Sequence, residues 1–198
     1  MSGQGGWANP GPAGLTALAV ACFTFYAVLS GKVDHSCVPL LGCWLIGGFV
    51  VQLLVGIIEL MEGVTLGGNV FTFFAAFFML TGGIEFFVKY LGAVNGLTID
   101  ARIDGWAWIV LFVTLWLWTP AYLKTGPLAL NIVVLALDVA TPFVAFRDLG
   151  MADPASSAAW AANFLLIAGI FGIYVAAGII LNTAFGKTIL PLGKPPLA

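Results

Sequence analysis

Charged side chains are scarce in this sequence. Asp, Glu, Lys and Arg make up 8% of its 198 residues, whereas a typical soluble domain carries about 25%. Hydrophobic residues make up 61% of the chain. Too few polar side chains are therefore present to cover the surface of a soluble protein of this length. The same scarcity excludes the basic surface that a nucleic-acid partner would require, so we expect no such partner.

The residues that build metal sites and catalytic sites are equally few. The single His, His35, lies in a short polar turn and is interpreted as a solvated turn residue. Cys22, Cys37 and Cys43 are odd in number and lack the spacing of zinc ligands, so small packing residues are the better interpretation. Phosphate-binding loops and dinucleotide-binding fingerprints are also missing. The sequence thus predicts no metal and no cofactor, and it disfavours a membrane-bound enzyme.

Long apolar segments make up most of the sequence. Runs near the roughly 20 residues that cross a hydrocarbon core as a helix recur six times, without the alternation of a transmembrane barrel. We predict an all-α polytopic membrane protein, with one six-helix domain over residues 1–198. The predicted spans cover about 13–31, 37–61, 69–91, 105–123, 128–146 and 158–182.

Six spans place both termini on one side of the membrane. Three basic residues fall on that terminal side and four on the other, so the positive-inside rule does not decide the orientation. We expect a multi-pass protein of the inner or plasma membrane with cytoplasmic termini.

The first span opens on Asn9-Pro10. Asn is a strong helix N-cap, and Pro is tolerated in the first turn because the amide proton it lacks would be unpaired there. Two interpretations remain open. Asn9 either caps an interfacial helix or contributes to an anion site, since transporters can direct helix ends at anionic substrates.

Several polar residues lie at membrane depth, where they are costly and must face protein, water or a substrate. Asp138, in the middle of the fifth span, either relays a proton or packs between helices as a hydrogen-bonded carboxyl group. Gln52 and Glu59 are seven residues apart and share nearly the same helix face. Glu85 precedes Lys89 by four residues, which predicts an ion pair near the interface.

Local features of the connections give further expectations. Asn69 follows a Gly-rich connection and is predicted to cap the third span. The longer connection that contains Asp100, Arg102 and Asp104 is expected to be solvated. Small residues in the second and sixth spans permit close helix contact, although the sequence leaves open whether the contact lies within one subunit or between two.

Five phenylalanines cluster early in the third span. Such rings ordinarily belong to the core or face lipid, but a few of them can form a constriction that excludes water from a narrow pore. The cluster comprises Phe71, Phe73, Phe74, Phe77 and Phe78.

The two ends of the chain carry a resemblance to a known family. Asn9-Pro10-Gly11-Pro12-Ala13-Gly14-Leu15 resembles the Asn-Pro-Ala-Pro-Leu-Gly-Leu signature of the acetate uptake transporter family. Further agreement covers Gly56-Ile57-Ile58-Glu59, Phe71-Thr72 and the tail from Leu181-Asn182 to Leu192-Gly193. The order and spacing match over essentially the whole chain.

The resemblance implies a six-helix protomer, a homohexamer with one pathway per subunit, and passage of acetate and related short carboxylates, with succinate in some members. It also implies a pathway narrowed by a Phe, a Leu and a Tyr. Those positions fall here on Leu18, on the Ala136-Leu137 region and on Phe74, so the narrowing would be wholly apolar. Ile179 stands where an acidic residue is expected, and Asp138 stands where an uncharged one is expected.

We therefore predict a transporter or channel for acetate and related short carboxylates, with membrane lipid and copies of the same chain as its partners. Proton coupling through Glu59 or Asp138 is left open. The alternatives are a pore for neutral solutes such as urea or ammonia, and a non-transporting multi-span scaffold. The predicted pathway residues are Asn9, Pro10, Leu18, Gln52, Asn69, Thr72, Phe74, Leu137 and Asn182.

Overall fold

Six long helices make up the fold of the described residues. The computed structural model describes residues 6–197, and within that range it contains no β-strand. Each helix is long and apolar enough to cross a membrane, which confirms the predicted all-α fold with six spans. The helices are α1 (Gly11–Leu29), α2 (His35–Met61), α3 (Thr65–Val94), α4 (Arg102–Thr125), α5 (Leu128–Asp148) and α6 (Pro154–Phe185).

Capping residues set the limits of α6. The helix begins four residues before the predicted start at 158, because the Asp153 side chain accepts a hydrogen bond from the Ser156 backbone amide at 2.8 Å. This bond and the one from the Ser156 hydroxyl hold the pKa of the Asp153 carboxyl below its ordinary value. Pro154 then occupies the first turn, where proline is well tolerated. At the other end Gly186 adopts a φ of 62°, a left-handed conformation that suits glycine.

The start of α3 differs from the prediction. The helix begins at Thr65, so Asn69 lies one turn inside it and does not cap it. The Asn69 side chain instead donates a hydrogen bond to the Thr65 carbonyl at 2.7 Å. The chain can turn this early because Gly63 takes a φ of 78° just before the helix.

A π-helical segment interrupts α3 over Phe74–Thr81. Within it, the Thr81 hydroxyl donates to the Ala76 carbonyl five residues back, at 3.0 Å. π-Helical turns are rare and are frequent at functional sites. This segment carries Phe74 and Phe78, both buried, with ring centroids 6.0 Å apart.

Several glycines of the second and sixth spans make close helix contacts within this chain. α2 and α3 approach so closely that a Cβ built on Gly42 would lie 2.8 Å from the Gly83 carbonyl oxygen. Gly169 of α6 likewise faces Cys22 of α1, with 3.1 Å between its built Cβ and the Cys22 Cβ. α6 packs against α1 and α5, and α2 against α1 and α3, whereas α3 and α4 touch only sparsely. The sparse contact leaves a gap on that side of the bundle.

The chain after α6 folds back onto the helix ends. The Asn182 side chain accepts from the Ile189 and Leu190 amides at 2.6 and 3.0 Å and donates to the Leu190 carbonyl at 2.9 Å. Further along, the Ala129 amide donates to the Leu192 carbonyl at 2.9 Å. These bonds fix the tail across the beginning of α5.

Candidate substrate pathway

The terminal mouth of the bundle is built around the first turn of α1. Pro10 occupies the capping position, and Asn9 lies one residue before it. The Asn9 Oδ1 accepts from the Gly11 amide at 2.9 Å, so Asn9 satisfies a first-turn amide group from a position one residue earlier than a standard N-cap. The Asn9 side chain is exposed. Because its oxygen is engaged, its amide group is what remains to donate to a ligand.

Glu59 lies directly against this turn. A Cβ built on Gly11 would lie 3.0 Å from Asn9 Oδ1 and 3.4 Å from Glu59 Oε1, so the two predicted site residues meet at Gly11. The Glu59 carboxyl also abuts Gly67, in the first turn of α3, where a Cβ would overlap it. Helix N-termini carry a partial positive charge, and two of them therefore face this carboxyl. Its Oε2 is buried without a hydrogen-bond partner among the described residues.

Gln52 extends the polar face of α2 toward the middle of the bundle. Its side chain is 1% exposed, and its Nε2 donates to the Gly14 carbonyl of α1 at 3.4 Å. The Gln52 Oε1 is buried and, within residues 6–197, has no partner. Gln52 and Glu59 thus both face α1, and each has one polar atom free to receive a proton or a hydrogen bond.

The centre of the bundle is apolar. Leu18, Phe74 and Leu137, the positions implied by the resemblance to narrow the pathway, are all buried and belong to one hydrophobic cluster. Phe78 joins the same cluster and packs edge to face against Phe74. An ion could pass between Leu18, Phe74 and Leu137 only after losing most of its water, because these three side chains offer no polar group to replace it.

A cavity of about 500 Å³ opens on the other side of the cluster, away from the termini. Its walls come from the far ends of α1, α3, α4 and α5. Phe78 forms part of the wall, so the cavity begins where the apolar cluster ends. No local sequence pattern predicts this cavity, because the cavity arises from the gap between α3 and α4.

Ion pairs line the rim of the cavity. The predicted Glu85–Lys89 pair is confirmed, with 3.7 Å between Oε2 and Nζ. Lys89 also contacts Asp104 of α4 much more closely. Asp104 is only 6% exposed, so the expectation that its connection is solvated was wrong at this residue. α4 begins at Arg102 and carries Asp104 into the bundle, where Lys89 compensates its charge.

Asp138 packs between α5 and α4. Its Oδ2 lies 2.7 Å from the Thr119 hydroxyl oxygen, and the Trp116 indole donates to the Asp138 carbonyl at 2.8 Å. The Thr119 oxygen also lies 2.9 Å from the Leu115 carbonyl, and one hydroxyl proton cannot serve both acceptors at once. A protonated Asp138 would resolve this conflict by donating to Thr119, while Thr119 donates to Leu115.

The side chains of three other predicted pathway residues form hydrogen bonds with nearby backbone groups. Asn69 bonds to Thr65, Asn182 bonds to the tail, and the Thr72 hydroxyl lies 2.9 Å from the Gly68 carbonyl. Asn131 is a residue that sequence reasoning passed over. It is 1% exposed, donates to the Gly126 carbonyl at 2.7 Å and keeps its Oδ1 buried without a partner in the described chain. Its position inside an apolar span was the available signal.

Comparisons with known proteins agree with this architecture. No protein-family model matches the chain. The succinate-acetate/proton symporter SatP of Escherichia coli strain K12 is 28% identical over 197 residues, which covers 94% of this chain and 96% of that protein. The same-named protein of Shigella flexneri matches equally well. The structure of the bacterial acetate channel SatP superposes with a TM-score of 0.82 at 28% identity, covering 94% of this chain and 99% of that one. These matches confirm the resemblance to the acetate transporter family.

Proposed function

We propose that this protein carries acetate and related small carboxylates, including succinate, across a membrane through a pathway inside each protomer. The observation that carries the proposal is the buried apolar cluster of Leu18, Phe74 and Leu137, which has polar groups on both sides of it. The relatives, named as a symporter and a channel, support transport in place of catalysis.

The apolar cluster suits a small carboxylate. At neutral pH acetate is ionised, because its acidity is close to that of Glu, with a pKa of roughly 4.3. The anion must therefore lose water to pass the cluster, and a methyl group is better accommodated there than a hydrated inorganic ion. The amide group of Asn9, whose oxygen is engaged by the Gly11 amide, supplies a hydrogen-bond donor on the terminal side. An apolar centre with a hydrogen-bond donor beside it favours small organic acids over inorganic ions.

Glu59 is the residue we propose for proton coupling. An ionised Glu59 would repel an arriving carboxylate, whereas a protonated Glu59 could donate a hydrogen bond to it. Binding of the proton and binding of the anion would then favour each other. Asp138 remains the second candidate, and the Thr119 geometry gives it a defined partner for its proton.

The test is uptake of labelled acetate into proteoliposomes, with and without an imposed pH gradient. We expect uptake above that of empty vesicles, stimulation when the outside is acidic, and inhibition by unlabelled succinate. Absence of acetate uptake would contradict the proposal. Uptake that ignores the gradient would retain carboxylate transport but remove proton coupling.

The assembly and its placement are further parts of the proposal. We propose that the chain folds as one six-helix domain, forms a homohexamer in the inner or plasma membrane, and has cytoplasmic termini. Large apolar side chains exposed on the outer faces, such as Leu117 at 73% and Leu40 at 64%, suit contact with lipid or with another subunit. Native mass spectrometry would count the subunits, and labelling of Cys residues placed near Lys194 in intact cells would report the side of the termini.

A further inference from the structure

The cavity beyond the apolar cluster has the features of a binding site. It encloses about 500 Å³, whereas one liquid water occupies about 30 Å³, so acetate with its four heavy atoms would fill only a small part of it. Most of its lining is apolar and includes the large side chains of Phe25, Phe78, Trp108 and Leu111. Phe78 also packs against Phe25, with ring centroids 5.4 Å apart. The cavity therefore offers an apolar wall that a two-carbon acid does not need.

Five ionisable side chains complete the lining, and they come from three helices. α3 contributes Glu85 and Lys89, α4 contributes Asp104, and α5 contributes Arg147 and Asp148. α1 adds only apolar residues to the lining. Lys89 is compensated by its contacts with Asp104 and Glu85.

Arg147 differs from Lys89. Among the described residues no carboxylate lies within ion-pair distance of its guanidinium group, and the side chain is only partly exposed. A guanidinium presents donors in a planar fork that matches a carboxylate. Arg147 is thus the cation of this cavity that a carboxylate ligand could engage without breaking an existing ion pair.

The charge balance restricts the ligand. Two cations and three carboxylates line the cavity, which gives one net negative charge when all five groups are ionised. A ligand with one negative charge can bind at Arg147 while its other end lies on the apolar wall. A dianion would place its second charge near Glu85, Asp104 and Asp148, which opposes binding.

We propose that this cavity is a loading site for monocarboxylates, in which Arg147 binds the carboxylate and the aromatic wall binds the alkyl chain. The inference rests on the proposed carboxylate transport and narrows it to a preference for alkyl acids longer than acetate over the succinate dianion. Each methylene group buried on the wall should tighten binding by a factor of about 4, which corresponds to ~0.8 kcal/mol.

Titration calorimetry on the purified protein tests the site without requiring flux. We expect butyrate, with two more methylene groups, to bind about 16-fold more tightly than acetate, and succinate to bind most weakly at neutral pH. Arg147→Gln should weaken both monocarboxylates about 10-fold or more, because a charge-assisted hydrogen bond is lost, and Arg147→Lys should recover part of the affinity. Lys32→Gln is the matched control, since Lys32 lies on the same side of the membrane outside the cavity, and it should leave binding unchanged.

A second variant tests the site even if the Arg147 variants fail to fold. Ala107 lines the cavity, so Ala107→Leu fills part of it and should reduce the ratio of butyrate to acetate affinity. Equal affinities for acetate and butyrate, or an Arg147→Gln protein that binds both as the unmodified chain does, would overturn the proposal.

Lipid headgroups are the other source of an anion for Arg147. If Arg147→Gln changed acetate uptake only in vesicles that contain phosphatidylglycerol and not in pure phosphatidylcholine, Arg147 would be a lipid contact and the loading site would be refuted. The transport proposal fails separately, by absence of acetate uptake in the unmodified protein.

Discussion

The two ends of the helix bundle hold their buried carboxyl groups in opposite ways. On the terminal side Glu59 is 8% exposed, and no described cation pairs with it; it lies against the first turns of two helices. On the far side Asp104 is similarly buried, but Lys89 contacts it directly. A paired carboxylate keeps its charge and fixes structure, whereas an unpaired one is sensitive to any proton or anion that arrives. The difference supports a structural role for Asp104 and is consistent with the proton-coupling role that we propose for Glu59.

Removing the cation from the far side should give the largest effect. Lys89→Met leaves Asp104 buried without its partner, so we expect a loss of ~2–3 kcal/mol of stability, or about 5–10 °C in the midpoint of thermal unfolding. The measurement is thermal unfolding of the purified protein in detergent.

The double variant Lys89→Met with Asp104→Asn checks the cause. If the unpaired charge is responsible, the double variant should be more stable than Lys89→Met alone. A double variant that is less stable than either single variant would show that packing, and not the buried charge, dominates at this mouth.

Neutralising Glu59 should give the next largest effect, on coupling rather than on stability. Glu59→Gln resembles the protonated side chain, so acetate uptake should persist while its stimulation by an acidic exterior falls about 10-fold, equivalent to ~1.4 kcal/mol. Uptake into proteoliposomes at two external pH values measures it.

Two matched variants sharpen this result. Glu62→Gln alters an exposed carboxyl that accepts from the Trp7 amide at 2.8 Å, and it should leave coupling intact. Asp138→Asn keeps a donor for Thr119 and tests the second candidate. If Asp138→Asn removes the pH response while Glu59→Gln retains it, the coupling role belongs to Asp138.

Shortening Asn9 should give the smallest effect. Asn9→Ala removes the bond to the Gly11 amide and the donor at the terminal mouth, so acetate uptake should fall by a factor of about 2–5, with a stability loss of ~0.5–1 kcal/mol. Initial uptake rates at low acetate concentration measure the change.

Asn95→Ala is the control for Asn9, because Asn95 makes a comparable side-chain bond to the Leu91 carbonyl, at 2.7 Å, on the far side. Its removal should leave uptake unchanged. Equal uptake by the Asn9→Ala protein and the unmodified chain would reduce Asn9 to a helix-capping residue.

Residues on α3 and α4 show which structural features could be predicted from the sequence and which could not. Glu85 and Lys89 were correctly paired because a spacing of four residues on one helix fixes their distance. For Asp104 the sequence predicts a solvated side chain, which is wrong. Its partner Lys89 lies 15 residues away on another helix, and no local sequence pattern predicts a contact between them. The Gly-rich stretch before Asn69 is typical of a connection and therefore predicts a helix cap at Asn69, whereas the backbone is already helical from Thr65.

Composition and the length of the apolar runs determined that this chain forms six membrane-spanning helices, because only helices of about 20 residues satisfy their own backbone in lipid. The motifs at the two ends of the chain determined the family resemblance. Only the tertiary structure decided the π-helical segment that carries Phe74 and Phe78, the meeting of Glu59 with the first turns of α1 and α3, and the cavity beside Arg147. These features depend on how separate helices pack. The contacts involved join residues that are far apart in the sequence, so local sequence patterns do not predict them.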